Sequence, residues 1–386
     1  MRRALRFLSQ ADPIPRVFGL FTDATSRLHN FQPRSAEDRS LRLINLPDPG
    51  TDEFKPIYLF TSIDAHSQMT PQNYAVSDPK EVAKVERLLK FGRAGWYSLY
   101  TGKSEDSPGY TYYTKQRMRQ IAIAKLLGIP VDPEQKFSKE LRHVGAGEMT
   151  PRVRLRLLAV LAPRLALTAR PFTSEAVQMV SSHLAVLLRT DKERHFLHTF
   201  YPSEPILAEA SAAITKTTGW APLVRALYDQ IQNGIVSAGF RGELLTKVLL
   251  LMAMDDTLKP DLGDAKSPYW EHTQPVKVKD FLDNWLAPPK PYRSFCHALS
   301  ETADLKPCSE DELKRFMNGH VFFTHFVRLD CAVSPRSIAC AWNQGAAFMA
   351  KEGTESFDHL IPVMLAGGTD APTFGRLHHE WDQQEL

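Results

Sequence analysis

Residues 239–247 read GFRGELLTK, and residues 357–365 read FDHLIPVML. The first run continues into VLLLMAMD with apolar residues at helical spacing, which places Glu243 on a helix. Gly239 and Gly242 beside it let another group approach the backbone closely. The second run is short and apolar and predicts a buried strand that begins at Asp358. A Glu on a leading helix and an Asp at the head of a strand are hard oxygen donors. Such donors hold Mg²⁺ and activate water in phosphodiester hydrolysis. The same chemistry expects a third part, a following strand with Glu/Gln-x-Lys, yet the remainder through LHHEWDQQEL (377–386) contains no lysine. Each carboxylate taken singly also fits an ordinary helix and an ordinary strand start, and that alternative stays open.

Upstream of this pair the pattern alternates helix and strand. MRRALRFLSQ (1–10) reads as a helix, VFGLFT (17–22) and PIYLFTSID (56–64) as apolar strands, and NFQPRSAEDRS (30–40) as a loop. Helix followed by buried strand is the α/β pattern. From position 78 onward helices dominate. DPKEVAKVERLLKFGR (78–93) opens with Asp78 as N-cap, Pro79 in the first helical position and Glu81 three residues after the cap. YTKQRMRQIAIAKLLG (113–128) stops at Gly128 with Pro130 beyond. PRVRLRLLAVLAPRLAL (151–167), SEAVQMVSSHLAVLLRT (174–190), LAEASAAITKT (207–217) and APLVRALYDQIQNG (221–234) continue the series. The polar, Pro- and Gly-broken stretch 258–274 reads as a loop. The usable domain boundary falls at Arg170-Pro171, and 386 residues exceed one typical core.

Net charge is only +3, so the chain is no polycation, but its arginines crowd the first 170 residues. That asymmetry fits contact with phosphates, or equally a set of solvated helix faces. Cys296, Cys308, Cys331 and Cys340 are too widely spaced for a zinc knuckle and suit a reducing compartment. The segment behind Met1 is too polar for a secretory signal, and no apolar run reaches the roughly 18 residues of a membrane span. The expectation is an intracellular protein, cytoplasmic or nuclear, without membrane contact. Neither H-x-x-x-H nor H-E-x-x-H occurs, and G-x-S-x-G is missing, which speaks against a zinc site and a serine-hydrolase elbow.

Three further clusters bear on a site. Thr22, Asp23 and Thr25 stand at the carboxyl end of an apolar strand, where open α/β sheets place ligand-contacting groups. The other reading is a strand leaving the core through a Ser/Thr turn. FGRAGW (91–96) puts Arg93 on a short glycine-flanked turn, suited to a nucleotide phosphate. It also reads as a helix C-cap with a surface arginine. In YPSEPILAEA (201–210) Ser203 is a candidate cap for the following helix, and Glu204 a candidate additional metal carboxylate. No G-x-x-x-x-G-K-[ST] is present, so NTP hydrolysis by this chain alone is not expected.

Taken in order, RRALRFL, LFTDATSRLHNF, FGRAGW, YPSEPILAEA, FRGELLTKVLL, QGAAFM and FDHLIPV resemble fungal Crinkler- and retrotransposon-hot-spot-like proteins. These join a P-loop NTPase to a nuclease of the restriction-endonuclease fold, and the resemblance spans nearly the whole chain. It implies a helix-rich α/β protein. Residues 1–170 would be a partial ATPase core with its helical lid, and 171–386 a restriction-endonuclease-like domain lacking its last catalytic strand. Thr22, Asp23 and Thr25 would match the sensor region, Arg93 the lid arginine, and Glu243 and Asp358 the Mg²⁺-binding acids. The family's phosphate-binding loop would lie before Met1, so both centres are expected to be incomplete and nuclease activity weak or absent. The competing expectation is a non-catalytic helical scaffold that binds nucleic acid or protein through its basic first half.

Overall fold

Helix-rich α/β architecture is what the sequence builds, with short sheets set among many helices. The computed structural model describes residues 63–67, 78–102, 114–131, 149–190, 197–236, 241–258, 268–286, 309–328, 333–349 and 359–365.

The run 78–93 forms two short helices rather than the single expected one: α1 (Pro79–Val82), capped by the Asp78 carboxylate on the Lys80 N–H, and α2 (Val85–Leu88). The break lies at Lys84, whose backbone is extended and bridges to Tyr269, while the Val85 N–H donates to the Pro268 carbonyl. A tertiary contact thus takes groups that a continuous helix would have paired internally. Then come α3 (Ala94–Thr101), α4 (Lys115–Leu127) and α5 (Pro151–Leu165). Thr114 and Thr150 cap the last two, and α4 ends at left-handed Gly128 as its sequence predicts.

The run 174–190 is not one helix either. Helix α6 (Ser174–Ser182) stops at His183, Leu184 takes a positive φ of 64°, and the chain continues as strand β1 (Val186–Thr190). It pairs antiparallel with β2 (Leu197–Phe200). Val, Leu and Leu suit either state, and the partner strand decides. Helices α7 (Pro205–Thr218), α8 (Trp220–Gln232) and α9 (Arg241–Thr257) follow.

The C-terminal part supplies two small sheets. Strand β3 (Val276–Lys277) leads into α10 (Val278–Leu286), and α11 (Glu310–Met317) precedes β4 (His320–Val321). Strand β5 (His325–Arg328), helix α12 (Pro335–Gln344) and strand β6 (Ala346–Met349) make a parallel β-α-β unit. The expected single strand at 357–365 is two: β7 (His359–Leu360) pairs with β6, and β8 (Val363–Met364) pairs with β4 in the other sheet. Pro362 lies between them. It has no N–H to give a ladder, which suits a point where the chain leaves one sheet for another.

Helix α5 runs through the middle of the core, packed on α4, α7, α8, α9 and β5, and is buried from Leu157 to Leu165. One continuous apolar cluster takes in Met118, Leu157, Leu161, Ile206, Leu223, Leu251, Trp270, Phe322 and Phe326. Residues on both sides of position 170 contribute to it. No described helix is long and apolar enough to cross a membrane.

Candidate functional site

Glu243 and Lys247 stand one turn apart on α9, half-buried and buried respectively. The Lys247 ammonium donates to the Leu165 carbonyl at 2.9 Å and lies 3.7 Å from the Met349 sulfur. Leu165 ends α5, so this lysine meets one of the carbonyls a helix leaves unpaired at its C-terminus. Met349 closes β6 and is the register partner of His359, the residue after Asp358 in the chain. Burial pushes the Lys247 amine down to about 8, with the Glu243 charge pulling it partly back up. A lysine one turn after Glu243 is visible in the sequence. Its arrival beside β6 is not, because 102 residues separate Lys247 from Met349. Among the described residues no group of three or more His, Cys, Asp or Glu side chains could hold a metal ion. Asp358 lies outside the described residues, as do Thr22, Asp23 and Thr25.

The FGRAGW turn is built into the interior. The Arg93 guanidinium bonds the Glu204 carboxylate and the Leu184 carbonyl, and its backbone N–H donates to Glu204 Oε1 at 2.9 Å. Trp96 Nε1 donates to the same oxygen at 3.0 Å. Glu204 is fully enclosed; burial raises its carboxyl above the usual range, against the pull of Arg93 and the three N–H donors. A Cβ on Gly92 would lie 2.1 Å from Glu204 Cγ. The glycine expected to give Arg93 a flexible turn is thus the floor on which Glu204 rests. The structure brings Arg93 and Glu204 together with each other.

Ser203 was expected to cap the helix that follows. Glu204 occupies the cap position instead, and Ser203 Oγ lies 2.8 Å from His325 Nε2. His325 Nδ1 lies 3.0 Å from Thr324 Oγ1, whose hydroxyl also reaches the Gly345 carbonyl at 3.2 Å. With the Thr324 hydroxyl donating to that carbonyl it can accept from Nδ1–H, which leaves the Nε2 lone pair to accept from Ser203. The order mimics a nucleophile and its base, but the third member is a neutral hydroxyl. Burial, with Arg164 adding like charge, holds His325 down to about 3, so it is a poor proton acceptor near neutrality. The pair works as a buried polar tie between β5 and the entrance of α7. Serine and histidine 122 residues apart carry no signal in the sequence.

Glu209, fully buried, receives the His272 N–H at 3.0 Å, the Thr273 hydroxyl at 2.7 Å and Arg119 at 3.2 Å. Its acceptor capacity is taken up by structure, and the same holds for Asp255, gripped by both terminal nitrogens of Arg164 at 2.7 and 2.8 Å.

A family model described as a domain of unknown function, DUF8736, matches residues 150–270. The match begins at the Thr150 cap of α5 and ends at Trp270, so it takes in Glu204, Glu243 and Lys247 but neither Arg93 nor Asp358. No curated protein and no solved structure matches the chain.

Proposed function

We propose that the chain carries a Mg²⁺-dependent phosphodiesterase site of nuclease type, built on Glu243, Lys247 and Asp358. The observation that carries this reading is the position of Lys247. Its amine stands one turn from Glu243 and touches Met349, which pairs with the residue after Asp358. The sequence lacks a lysine on a strand after 358, and a helix supplies one from the other direction. Two carboxylates with retained waters are an ordinary complement for Mg²⁺, so Glu243 and Asp358 suit that ion as a donor set. Bound there, Mg²⁺ would polarise a phosphoryl oxygen and activate a water. Lys247, with its amine held down to about 8, would carry a proton that it can hold or release near neutral pH. The proposal leaves the ATPase half aside, because the Arg93 guanidinium is engaged by Glu204 and Leu184.

The test is Mg²⁺- or Mn²⁺-dependent cleavage of plasmid and single-stranded DNA. Wild type is compared with Asp358→Ala, Glu243→Gln and Lys247→Met. The expected result is cleavage that falls at least a hundredfold in each variant, since removing one member of a catalytic group costs orders of magnitude. Wild-type protein that neither cleaves nor binds Mn²⁺ would overturn it. The second reading is a non-catalytic helical scaffold that binds nucleic acid or protein through its basic first half; Arg93, Arg119 and Arg164, tied to enclosed or nearly enclosed acids, would serve its frame and leave the binding to other arginines. Mn²⁺ binding that depends on Asp358 separates the two.

A further inference from the structure

We propose that Met349 is an oxidation site, where hydrogen peroxide converts the thioether to a sulfoxide whose oxygen accepts from the Lys247 ammonium. The Lys247 Nζ stands 3.7 Å from the Met349 sulfur, across 102 residues of sequence. Its other partner is the Leu165 carbonyl at 2.9 Å. A thioether is a weak acceptor, so a charged donor aimed at one is poorly matched. An oxygen placed on that sulfur falls within reach of the same ammonium and gives a charge-assisted bond.

The fold leaves this methionine open at one side. Along β6, Ala346, Ala347 and Phe348 are buried, while Met349 at the strand's end is partly exposed. Met118, Met179 and Met254 are buried and out of an oxidant's way. The Tyr201 hydroxyl lies 4.0 Å from the Met179 sulfur, but that residue is enclosed. Met149, Met252, Met317 and Met364 are partly exposed as well. Met349 combines such access with an ammonium at its sulfur.

In the step, a sulfur lone pair attacks one peroxide oxygen and the O–O bond breaks. The departing hydroxide takes the remaining peroxide proton and leaves as water. Sulfur gives up two electrons and the peroxide is reduced. A methionine sulfoxide reductase returns the thioether, so the change is reversible. The sulfoxide turns a flexible apolar side chain into a polar one at the end of the β6–β7 ladder, where Met349 pairs with His359. A hydrogen bond to the charged form of an amine favours that form. The charged amine cannot take up a proton, so oxidation would silence Lys247 in the cleavage proposed above. This consequence alone rests on that reading; the oxidation and the new bond rest on the contact itself.

The experiment treats the full chain with hydrogen peroxide and follows each methionine by peptide mass spectrometry. Met349 should oxidise with the partly exposed methionines and ahead of Met118, Met179 and Met254. Lys247 is then labelled with acetic anhydride, which reacts with the neutral amine. Labelling should fall about fivefold on oxidation, the factor carried by one net hydrogen bond, and recover after reductase treatment. In Met349→Leu, a swap that nearly conserves apolar volume, peroxide should leave Lys247 labelling unchanged. Circular dichroism checks the fold of the variant, and the wild-type oxidation pattern keeps the test alive if that variant does not fold. Met349 left as the thioether while Met149 and Met317 are oxidised would overturn the proposal. So would oxidised Met349 with Lys247 labelled as before. Untreated wild type that fails to cleave DNA counts against the nuclease reading alone, because oxidation and labelling are read without it.

Discussion

At Gly92 the backbone turns through a φ of +83° while the Glu204 side chain lies against it. A methyl group there would be both strained and overlapping, with Glu204 Cγ at 2.1 Å and Cδ at 2.9 Å. Glu204 cannot retreat without leaving Arg93 and Trp96. Gly92→Ala is therefore expected to destabilise the protein by about 3 kcal/mol or more, from overpacking and the positive φ together. Urea denaturation of wild type and variant reads this directly; a loss under about 1 kcal/mol would mean that the turn rearranges freely. The glycine and the arginine were legible in FGRAGW as a special turn. What the turn accommodates was not, because its partner stands 111 residues away.

At the scale of elements, Arg164 joins four pieces of the chain. From the end of α5 its Nε donates to the Thr324 carbonyl at 2.9 Å, just ahead of β5. Its two terminal nitrogens hold Asp255 of α9, and its guanidinium lies 5.5 Å from the centre of the Trp220 ring, the first residue of α8. Arg164→Met leaves Asp255 nearly enclosed without its partner, and breaking such a pair from one side costs about 3–5 kcal/mol. The double variant Arg164→Met/Asp255→Leu should recover most of that loss, because the uncompensated charge is gone. A double-mutant cycle in urea measures both, and strict additivity would show that the two side chains act separately. Element boundaries were legible where a cap was read in the sequence, as at Asp78 and Gly128. They were missed at Lys84, Leu184 and Pro362, where a distant strand or loop takes over the backbone hydrogen bonds.

Over the whole molecule, buried ionisable groups make stability depend on pH. His325 titrates near 6.5 when unfolded and is held down to about 3 when folded. Between these values the unfolded chain binds one more proton, so stability is lost as pH falls through that window. The loss approaches about 1.4 kcal/mol per pH unit, or about 2 kcal/mol between pH 6.5 and pH 5. Burial lowers His183 in the same sense, while the raised Glu204 carboxyl acts in the opposite sense. The difference between wild type and His325→Gln isolates the first term, and the gap between urea midpoints at pH 7 and pH 5 should narrow in the variant. Lys247 works at the other end. Its amine is at about 8 folded against 10.5 unfolded, so its contribution to stability rises as pH climbs between them. The helix-rich α/β class, most of the helices and the presence of apolar strand within 357–365 follow from residue patterns alone. Hydrophobic periodicity and caps act over a few residues and need no partner. Tertiary structure alone decided that Arg93 meets Glu204, that Ser203 meets His325 and that Lys247 comes to rest beside Met349. Those pairings depend on how distant helices and strands share one core, and spacing along a chain carries no record of that.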